Sequence, residues 1–380
     1  MTEVLSHDQF DPSLPFECAE PIPSSWLTDP EFYQKTCERV FLNSWQVVAR
    51  SDELAQPGSF VTVNIVGVPV LIWRGQDGVL RAMHNVCEHQ GYGPLEGRVE
   101  GILGATLMCP NHRATYKYTG ALHAMPKCKN IEELKTNGVG LRQYAVETFD
   151  PLVAVHLGDP KESFCDTLSP LPERHGNTLS NMRFHKRFTY DVPYGYGQAN
   201  KNYLDHCSHC PSVHPEFASC VDLERKTCET FHFGSLQHVP ATASSDSNVR
   251  TGDKNYYWFW PNFTFNINGD GTFDTNRFVP LGLNRCLVIN DTYHDGTKTD
   301  AFMEESNRFM DRVQGQDNKA CTGLQKGNES PHFDRGFYSI PNDVLVHHFH
   351  RLLASALEQG RDIHSKKLRP EGDTVLENVR

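Results

Sequence analysis

The chain has 380 residues, of which 38% are hydrophobic, and a formal net charge of −11 at pH 7. This length and composition predict two or three globular domains with packed cores. The negative charge and the lack of a dense lysine or arginine block argue against nucleic acid or an anionic membrane surface as a partner. No run of about 18 apolar residues occurs, so the sequence predicts no membrane-spanning helix.

The start of the chain and its cysteines indicate a cytoplasmic location. Residues 1–21 are acidic and lack the order of basic and then apolar residues that a secretory signal has, and they are too acidic for a typical transit peptide. The 12 cysteines are spread along the chain, and several lie beside histidines. We therefore expect reduced thiols, a few of which bind metal, rather than a disulfide scaffold.

The first predicted elements are a helix and a strand. A helix should begin at Pro30 after a cap at Thr28 or Asp29, run to about Phe41, and lead into a strand near residues 45–49. Short strands with tight turns at Asp77-Gly78 and Thr119-Gly120 should follow up to about residue 157.

Beyond this β-rich region the elements are mixed. Residues 168–180 read as a loop, and a helix is expected at 200–210. Extended segments are expected at 184–194, 255–269 and 284–295, and helices at about 300–325 and 343–360. Because strands and helices do not alternate as in parallel-sheet proteins, the fold class is predicted as α+β, with an antiparallel sheet flanked by helices in the larger domain. The predicted domains are an N-terminal segment at 1–44 that packs on the last domain, a small antiparallel β domain at 45–165, and a larger domain at 166–380.

Two Cys/His pairs carry the first chemical signal, Cys87-x-His89 and Cys109-x-x-His112. Two cysteines and two histidines can ligate the two irons of a Rieske [2Fe–2S] cluster. A mixed Cys/His zinc site and a chance arrangement remain the alternatives at this point. The flanking glycines and prolines place both pairs on loops between strands.

The sequences "HNVCEHQGYG" and "CPNHRATYKYTGAL" resemble the Rieske domain of ring-hydroxylating-type oxygenases. The resemblance implies a [2Fe–2S] cluster held by Cys87, His89, Cys109 and His112. Where that family commonly has His-Gly-Trp at the second histidine, this chain has His112-Arg113-Ala114.

A second set of candidate ligands lies in "NKNYLDHCSHCPSVHPEF", where Asp205 precedes His209 and His214. Two histidines and one carboxylate form the facial triad of mononuclear non-haem iron oxygenases. Buried or surface histidines without metal are the alternative reading of this segment by itself.

This segment is similar to the iron motif of choline, glycine betaine and carnitine monooxygenases. The resemblance implies that His209 and His214 bind iron, and that Asp205 links the iron site to a Rieske histidine of a neighbouring subunit. Lys201 departs from the acidic residue that is usual in this family. The third ligand is assigned by resemblance to Asp317, which precedes Cys321 by four residues and Gln325 by eight. The fallback carboxylates are Asp311, Glu304 and Glu305.

The aromatic segment "NYYWFWPNFTFNI" is the candidate substrate pocket. On a strand, alternate side chains face opposite ways, so one subset can line a pocket, and aromatic faces attract quaternary ammonium groups. An ordinary buried strand explains the same pattern. The substrate-binding candidates are Tyr257, Phe259, Phe263, Phe265 and Asn202. A histidine cluster at 347, 348 and 350 is interpreted as packing.

The resemblance implies the terminal oxygenase of a Rieske non-haem iron system. Mononuclear Fe(II) would activate O2, and electrons from NAD(P)H would arrive through a partner reductase or ferredoxin. The expected assembly is a homotrimer, and the expected reaction is hydroxylation or N-demethylation of a small quaternary ammonium compound such as choline, betaine or carnitine. Two alternatives stay open: an oxygenase acting on an aromatic ring or aromatic acid, and a zinc-stabilised binding protein.

Overall fold

The computed structural model describes residues 10–242 and 249–358. These divide into two compact units, one formed by Phe41–Cys165 and the other by residues 10–40 together with those after 165. Residues 41–44 of the predicted N-terminal segment thus belong to the smaller unit, and residues 1–9 and 359–380 of the predicted domains lie outside the described part. No helix in the described ranges is both long and apolar enough to span a membrane.

Two helices precede the first strand, α1 (Ser25–Thr28) and α2 (Pro30–Arg39). The Asp29 carboxylate caps α2 by accepting a hydrogen bond from the backbone N–H of Glu31 at 2.7 Å, and Pro30 occupies the first position, where its missing N–H costs nothing. The start of this helix is as predicted, and its end comes two residues earlier than Phe41.

The smaller unit is almost entirely antiparallel β structure. Its elements are β1 (Gln46–Arg50), β2 (Ser59–Ile65), β3 (Val68–Arg74), β4 (Leu80–His84), β5 (Glu100–Ile102), β6 (Thr106–Met108), β7 (Thr115–Lys117), β8 (Leu122–Ala124), α3 (Ile131–Thr136), β9 (Gln143–Phe149) and β10 (Leu152–His156).

These strands form a seven-stranded sheet in the order β1-β10-β9-β4-β3-β2-β5 and a three-stranded sheet in the order β6-β7-β8. The predicted turns lie between β3 and β4 and between β7 and β8, and their glycines, Gly78 and Gly120, have φ angles of 75° and 82°. A buried cluster that includes Trp73, Tyr116 and the two cysteines Cys87 and Cys109 packs beneath the small sheet.

The larger unit is a single antiparallel sheet with helices. Its described elements, with α4 at the boundary, are α4 (Phe164–Thr167), α5 (Leu171–Leu179), β11 (Arg183–Val192), α6 (Tyr196–Leu204), α7 (Cys210–Val213), α8 (Pro215–Ala218), β12 (Thr227–Phe231), β13 (Gly234–Val239), β14 (Lys254–Phe259), β15 (Phe263–Asn268), β16 (Thr272–Gly282), β17 (Arg285–His294), α9 (Asp300–Asn328) and α10 (Val344–Leu357). The sheet order is β11-β17-β16-β15-β14-β13-β12. The predicted α+β class is confirmed.

Two local predictions for this unit are wrong. Residues 168–180 contain the helix α5 rather than a loop, because Leu171 and Leu179 are almost completely buried and packing overrides the proline and glycine content. The helix expected at 200–210 ends at Leu204, because His206 and Cys207 adopt positive φ angles and turn the chain away. The shortened helix α6 contacts β16, α9 and α10, which places its C-terminal end beside α9.

Candidate active site

Two histidines and a carboxylate from separate parts of the larger unit converge. His214 Nε2 lies 2.9 Å from Asp317 Oδ1, and His209 Nε2 lies 3.4 Å from the same oxygen. Ligands bound to one ion at about 2.1 Å and at right angles are about 3 Å apart, so these donors fit a single metal ion. Across the described ranges, this is the only group of three such donors within 4.8 Å of one another.

The turn after α6 positions the two histidines. His206 and Cys207 each have a φ of 56°, a conformation that costs free energy and needs support. Lys226 Nζ donates to the backbone oxygen of His206 at 2.6 Å, and this contact holds the turn. The short helix α7 follows at once, so that His209 and His214 lie at its two ends.

Hydrogen bonds orient each ligand. Asp205 Oδ2 accepts from His209 Nδ1, and Gln316 Oε1 accepts from His214 Nδ1 at 2.7 Å. With both Nδ1 atoms as donors, both Nε2 atoms are left to bind metal. Nothing in the sequence pattern of α9 distinguishes Gln316, which the sequence analysis did not identify.

Asn202, predicted to bind substrate, has a different contact. It lies on α6, and its Nδ2 donates to Asp317 Oδ1 at 2.7 Å. Asn202 lines the cavity described below, but the hydrogen bond shows that it also holds the carboxylate of the triad.

The protonation of the triad suits a cation. Burial disfavours a charged imidazole, but hydrogen bonds to Asp205 and Asp317 outweigh burial and raise the pKa of His209 to about 10. Burial acts to raise the pKa of Asp317, yet hydrogen bonds with His209 and His214 hold this pKa at about 2. Asp317 is therefore ionised at neutral pH, and a metal ion binding here displaces a proton from His209.

The fallback carboxylates on α9 lie elsewhere. Asp311 accepts a hydrogen bond from the Tyr190 hydroxyl at 2.5 Å. Glu304 lies 3.6 Å from both His185 and Lys186, and Glu305 is exposed. Among the acidic candidates on this helix, Asp317 alone joins the two histidines.

A cavity of about 150 Å³ opens beside the triad and lies between α6, α9 and one face of the sheet. The prediction that Tyr257, Phe259, Phe263 and Phe265 line a substrate pocket is wrong. Tyr257 pairs with Phe265 and Phe259 with Phe263 across β14 and β15, so all four side chains share one face, and none of them lines the cavity.

The neighbouring residues on the same strands line the cavity instead. Tyr256 lies between Gln237 and Asn266 in the register, and all three face the cavity. The reason is the two-residue period of a strand, which sends Tyr256 to the opposite face from Tyr257. Further aromatic lining comes from outside the predicted segment, from Tyr203, Phe217, Phe278 and Phe309.

The histidines at 347, 348 and 350 lie on α10 and are buried. His350 Nδ1 and the Tyr338 hydroxyl are 2.7 Å apart, and Phe10 and Phe16 pack against the ring of His347. Burial lowers the pKa of His347 to about 4 and that of His348 to about 3. These histidines are neutral packing residues at pH 7, as interpreted from the sequence.

In the smaller unit, the two Cys/His pairs form adjacent loop tips. Cys87 and Cys109 are 2% and 1% exposed, whereas His89 and His112 are exposed at the surface. The two imidazole rings have their centroids 4.6 Å apart, and Tyr116 Oη lies 3.1 Å from Cys87 Sγ. Two buried thiols and two exposed imidazoles fit a Rieske cluster, in which one iron takes the cysteines and the other takes the histidines.

A tetrahedral zinc site fits these residues poorly. Four ligands on one zinc ion at about 2.0–2.3 Å lie within roughly 4 Å of one another. In the part of the chain that the structure describes, however, no three ligand atoms of Cys87, His89, Cys109 and His112 lie within 4.8 Å of one another.

Arg113, which stands where glycine is common, has a φ of 61°. Its N–H donates to the Cys109 oxygen at 3.0 Å, and the Cys109 N–H donates to the Ala114 oxygen at 2.8 Å. These hydrogen bonds close a tight turn that needs a left-handed residue, and glycine adopts that conformation without a Cβ clash. Arg113 therefore holds a conformation that glycine would adopt at lower cost, and its side chain is exposed.

Two family profiles match the two parts of the chain. The Rieske [2Fe-2S] domain matches residues 44–145, and the catalytic domain of ring hydroxylating alpha subunits matches residues 179–359. The first covers the Cys/His loops, and the second covers the triad.

Characterised relatives extend over nearly the whole chain. Chloroplastic choline monooxygenase of Arabidopsis thaliana is 30% identical, with 91% of this chain and 85% of the relative covered. The carnitine monooxygenase oxygenase subunit of Escherichia coli strain K12 is 28% identical, with 90% and 96% covered.

Solved structures share the fold. The quaternary ammonium Rieske monooxygenase CntA in complex with an inhibitor superposes with a TM-score of 0.82 at 24% identity, covering 94% of this chain and 99% of that one. Naphthalene 1,2-dioxygenase from Rhodococcus sp. gives a TM-score of 0.73 at 16% identity, with 90% and 95% covered. The chain belongs to the Rieske non-haem iron oxygenases with a ring-hydroxylating-type catalytic domain, as a homologue of choline and carnitine monooxygenases.

Proposed function

We propose that this Rieske oxygenase is the terminal component of a monooxygenase system that hydroxylates or N-demethylates a small quaternary ammonium substrate. The observation that carries the proposal is the convergence of His209, His214 and Asp317 on one point beside a partly aromatic cavity. Membership of the family supplies the reaction class, and the cavity supplies the room for a small substrate.

In this proposal, His209, His214 and Asp317 hold the mononuclear iron, while Cys87, His89, Cys109 and His112 hold the [2Fe–2S] cluster. When bound, the iron supplies O2 activation, and the cluster supplies electrons that originate from NAD(P)H through a reductase or ferredoxin. The three ligands would hold the iron at the wall of the cavity, which would leave room beside it for substrate and O2. Asp205, Gln316 and Asn202 keep the ligands in this orientation.

Asp205 has a second role in the proposal. One carboxylate oxygen is bound to His209, while the other, Oδ1, is buried and has no hydrogen-bond partner in the described part of the chain. A buried carboxylate oxygen without a donor is unfavourable. The Asp205 side chain as a whole is 20% exposed, and we propose that in a homotrimer it also accepts a hydrogen bond from a Rieske histidine of a neighbouring subunit, so that electrons cross between subunits.

The quaternary ammonium class rests on relatives and on lining chemistry. The relatives named above act on choline or carnitine, and the structure of CntA has been discussed in terms of inter-subunit electron transfer. Tyr203 and Tyr256 present aromatic rings to the cavity, and such rings attract a quaternary ammonium group with about 0.5–2 kcal/mol each. An aromatic substrate has no comparable support, because the likeness to naphthalene dioxygenase concerns the fold alone.

The proposal includes a cytoplasmic location. The 12 cysteines are spread along the chain and several lie beside histidines, a pattern that favours a reducing compartment over a disulfide scaffold. Cell fractionation of the native host would test this part of the proposal separately.

The central test uses purified protein with a surrogate reductase. The wild-type protein should be red-brown, contain acid-labile sulfide, and consume O2 with at least one of choline, glycine betaine and carnitine. Asp317→Ala should lose turnover by more than about 100-fold while keeping the Rieske spectrum, because a metal ligand is removed from the other unit. Asp311→Ala, on the same helix, is the matched control and should retain activity.

Two results would contradict the proposal. Colourless protein with zinc and without labile sulfide would exclude the oxygenase reading. Loss of the Rieske spectrum in Asp317→Ala would mean that Asp317 has another role.

A further inference from the structure

We infer that Arg250, together with the paired amides Asn276 and Asn290, forms a subsite for a carboxylate, so that the cavity selects quaternary ammonium substrates that carry an anionic end over choline. This inference rests on the proposed function and adds a specificity-determining subsite to it. The subsite lies on the sheet face of the cavity, away from the aromatic residues that the sequence indicated.

Arg250 lines the cavity, and only some of its N–H groups have a contact. Its Nη1 lies 2.7 Å from Asp274 Oδ1, and its Nε donates to the Ser306 backbone oxygen at 3.3 Å. A guanidinium has five N–H donors, and no contact of Nη2 is found among the described residues. A guanidinium edge with free N–H groups is the usual partner of a carboxylate.

Lys254 contributes charge but no contact. Its side chain is 1% exposed, and its ammonium donates to the backbone oxygens of Arg250, Thr251 and Gly252. These three bonds use all of its donors. Burial lowers the pKa of Lys254 to about 8, so the group is still mainly charged at pH 7.

The side-chain amides of Asn276 and Asn290 lie side by side in the same cavity as Arg250. Asn276 on β16 pairs with Asn290 on β17 in the antiparallel register, and both line the cavity. Their side-chain oxygens are buried and find no hydrogen-bond partner in the described part of the chain. A carboxylate only accepts hydrogen bonds, so in the inferred subsite each amide would bind it through its NH2 group, while its oxygen stays buried.

The two amides lie on the sheet face between Asp274 and helix α9. Asn276 is two residues from Asp274 on the same face of β16, or about 6.6 Å along the strand. Asn290 Nδ2 lies 3.2 Å from Gln314 Oε1, and Gln314 precedes Asp317 by three residues, or about 4.5 Å along the helix. In the inferred binding mode, a ligand whose carboxylate contacts Arg250 would extend past these amides toward the triad.

The charge balance points the same way. The described residues that line the cavity carry two cationic side chains, Arg250 and Lys254, and three carboxylates, those of Asp205, Asp274 and Asp317. With a divalent iron bound, positive charge exceeds negative charge by one. A zwitterion adds no net charge to this environment, whereas choline adds a second uncompensated positive charge.

The test measures ligand binding to the holoenzyme by anaerobic calorimetry, so that no turnover is needed. Glycine betaine or carnitine should bind at least about tenfold more tightly than choline. Arg250→Gln should weaken the binding of the carboxylate ligand by about tenfold or more and change choline binding little. Because this variant leaves Asp274 without its cation, Arg250→Gln/Asp274→Asn is tested beside it and should show the same loss.

Arg277→Gln is the matched control. Arg277 is a buried arginine on β16 that pairs with an aspartate, Asp291, but it faces away from the cavity, and its loss should leave the preference unchanged. Tightest binding of choline, or an equal loss for all ligands in Arg250→Gln, would overturn the inference and leave the quaternary ammonium function standing. Tightest binding of benzoate with sensitivity to Arg250→Gln would instead overturn the quaternary ammonium function and support the carboxylate subsite.

Discussion

At the residue scale, the two iron-site histidines are held by different partners. His209 donates to the carboxylate of Asp205, whereas His214 donates to the neutral amide of Gln316. An anionic partner makes an imidazole a stronger ligand and offers a route for a proton, while an amide only fixes its orientation. Both histidines would bind the iron, but only His209 is joined through Asp205 to the proposed electron route.

Gln316→Ala should lower the affinity for Fe(II) by about 10- to 100-fold, because His214 loses the acceptor that fixes its ring. The measurement is retained iron per subunit under competition with a chelator, with the Rieske absorbance as an internal reference. Gln316→Glu keeps an acceptor and should restore binding, and Lys319→Ala, on the same helix, should have no effect. Unchanged iron affinity in Gln316→Ala would assign Gln316 no positioning role.

At the element scale, helix α10 combines high burial with three histidines. Because burial lowers the pKa values of His347 and His348 to about 4 and 3, the folded chain keeps these rings neutral where the unfolded chain protonates them. The unfolded state then binds more protons below about pH 6.5, and stability falls as the pH drops from there toward the folded-state values. Above about pH 6.5 both states are neutral, and the effect disappears.

His348→Leu should reduce the pH dependence of the free energy of unfolding by up to about 1.4 kcal/mol per pH unit between pH 6.5 and pH 5. Chemical denaturation at several pH values measures this slope. Val346→Ala removes buried methyl groups from the same helix without a titrating group, so it should lower stability equally at every pH. Equal slopes for the wild type and His348→Leu would contradict the buried neutral state.

At the scale of the whole molecule, one chain contains both metal centres in separate compact units. We propose that electrons pass from the cluster of one chain to the iron of another through Asp205. Under this arrangement, each chain needs only one intact centre, provided that its neighbour has the other.

Mixed oligomers test this directly. Chains with Asp317→Ala, which lack the iron ligand, and chains with Cys109→Ser, which lack a cluster ligand, should each be inactive alone. Co-expressed with different affinity tags and purified through both, they should recover O2 consumption coupled to substrate. Adding Asp205→Asn to the chain with intact iron ligands should abolish the recovery, whereas inactive mixed oligomers of verified composition would place the electron route within one chain.

The sequence, together with its resemblance to a known family, predicted the chemistry of the two centres. Ligand identity is a property of side chains, and the local spacing of Cys87-x-His89 and of His209 to His214 kept the two members of each pair close together along the chain. Turn glycines, the Asp29 cap and strand periodicity likewise acted over a few residues, so the antiparallel small unit and the α+β class were predictable.

Tertiary structure decided everything that joins distant segments. His214 and Asp317 are 103 positions apart. The family resemblance pointed to Asp317, but only the packing of α9 against α6 brings it, and not the other candidate carboxylates of its helix, to the two histidines. A run of aromatic residues suits both faces of a strand, so the sequence does not show which alternate residues of β14 face the cavity. In the structure it is Tyr256 rather than Tyr257 that lines the cavity. No local motif identifies Arg250, Asn276 or Gln316. The roles proposed for them depend on contacts that form only when the sheet, α6 and α9 come together around the cavity.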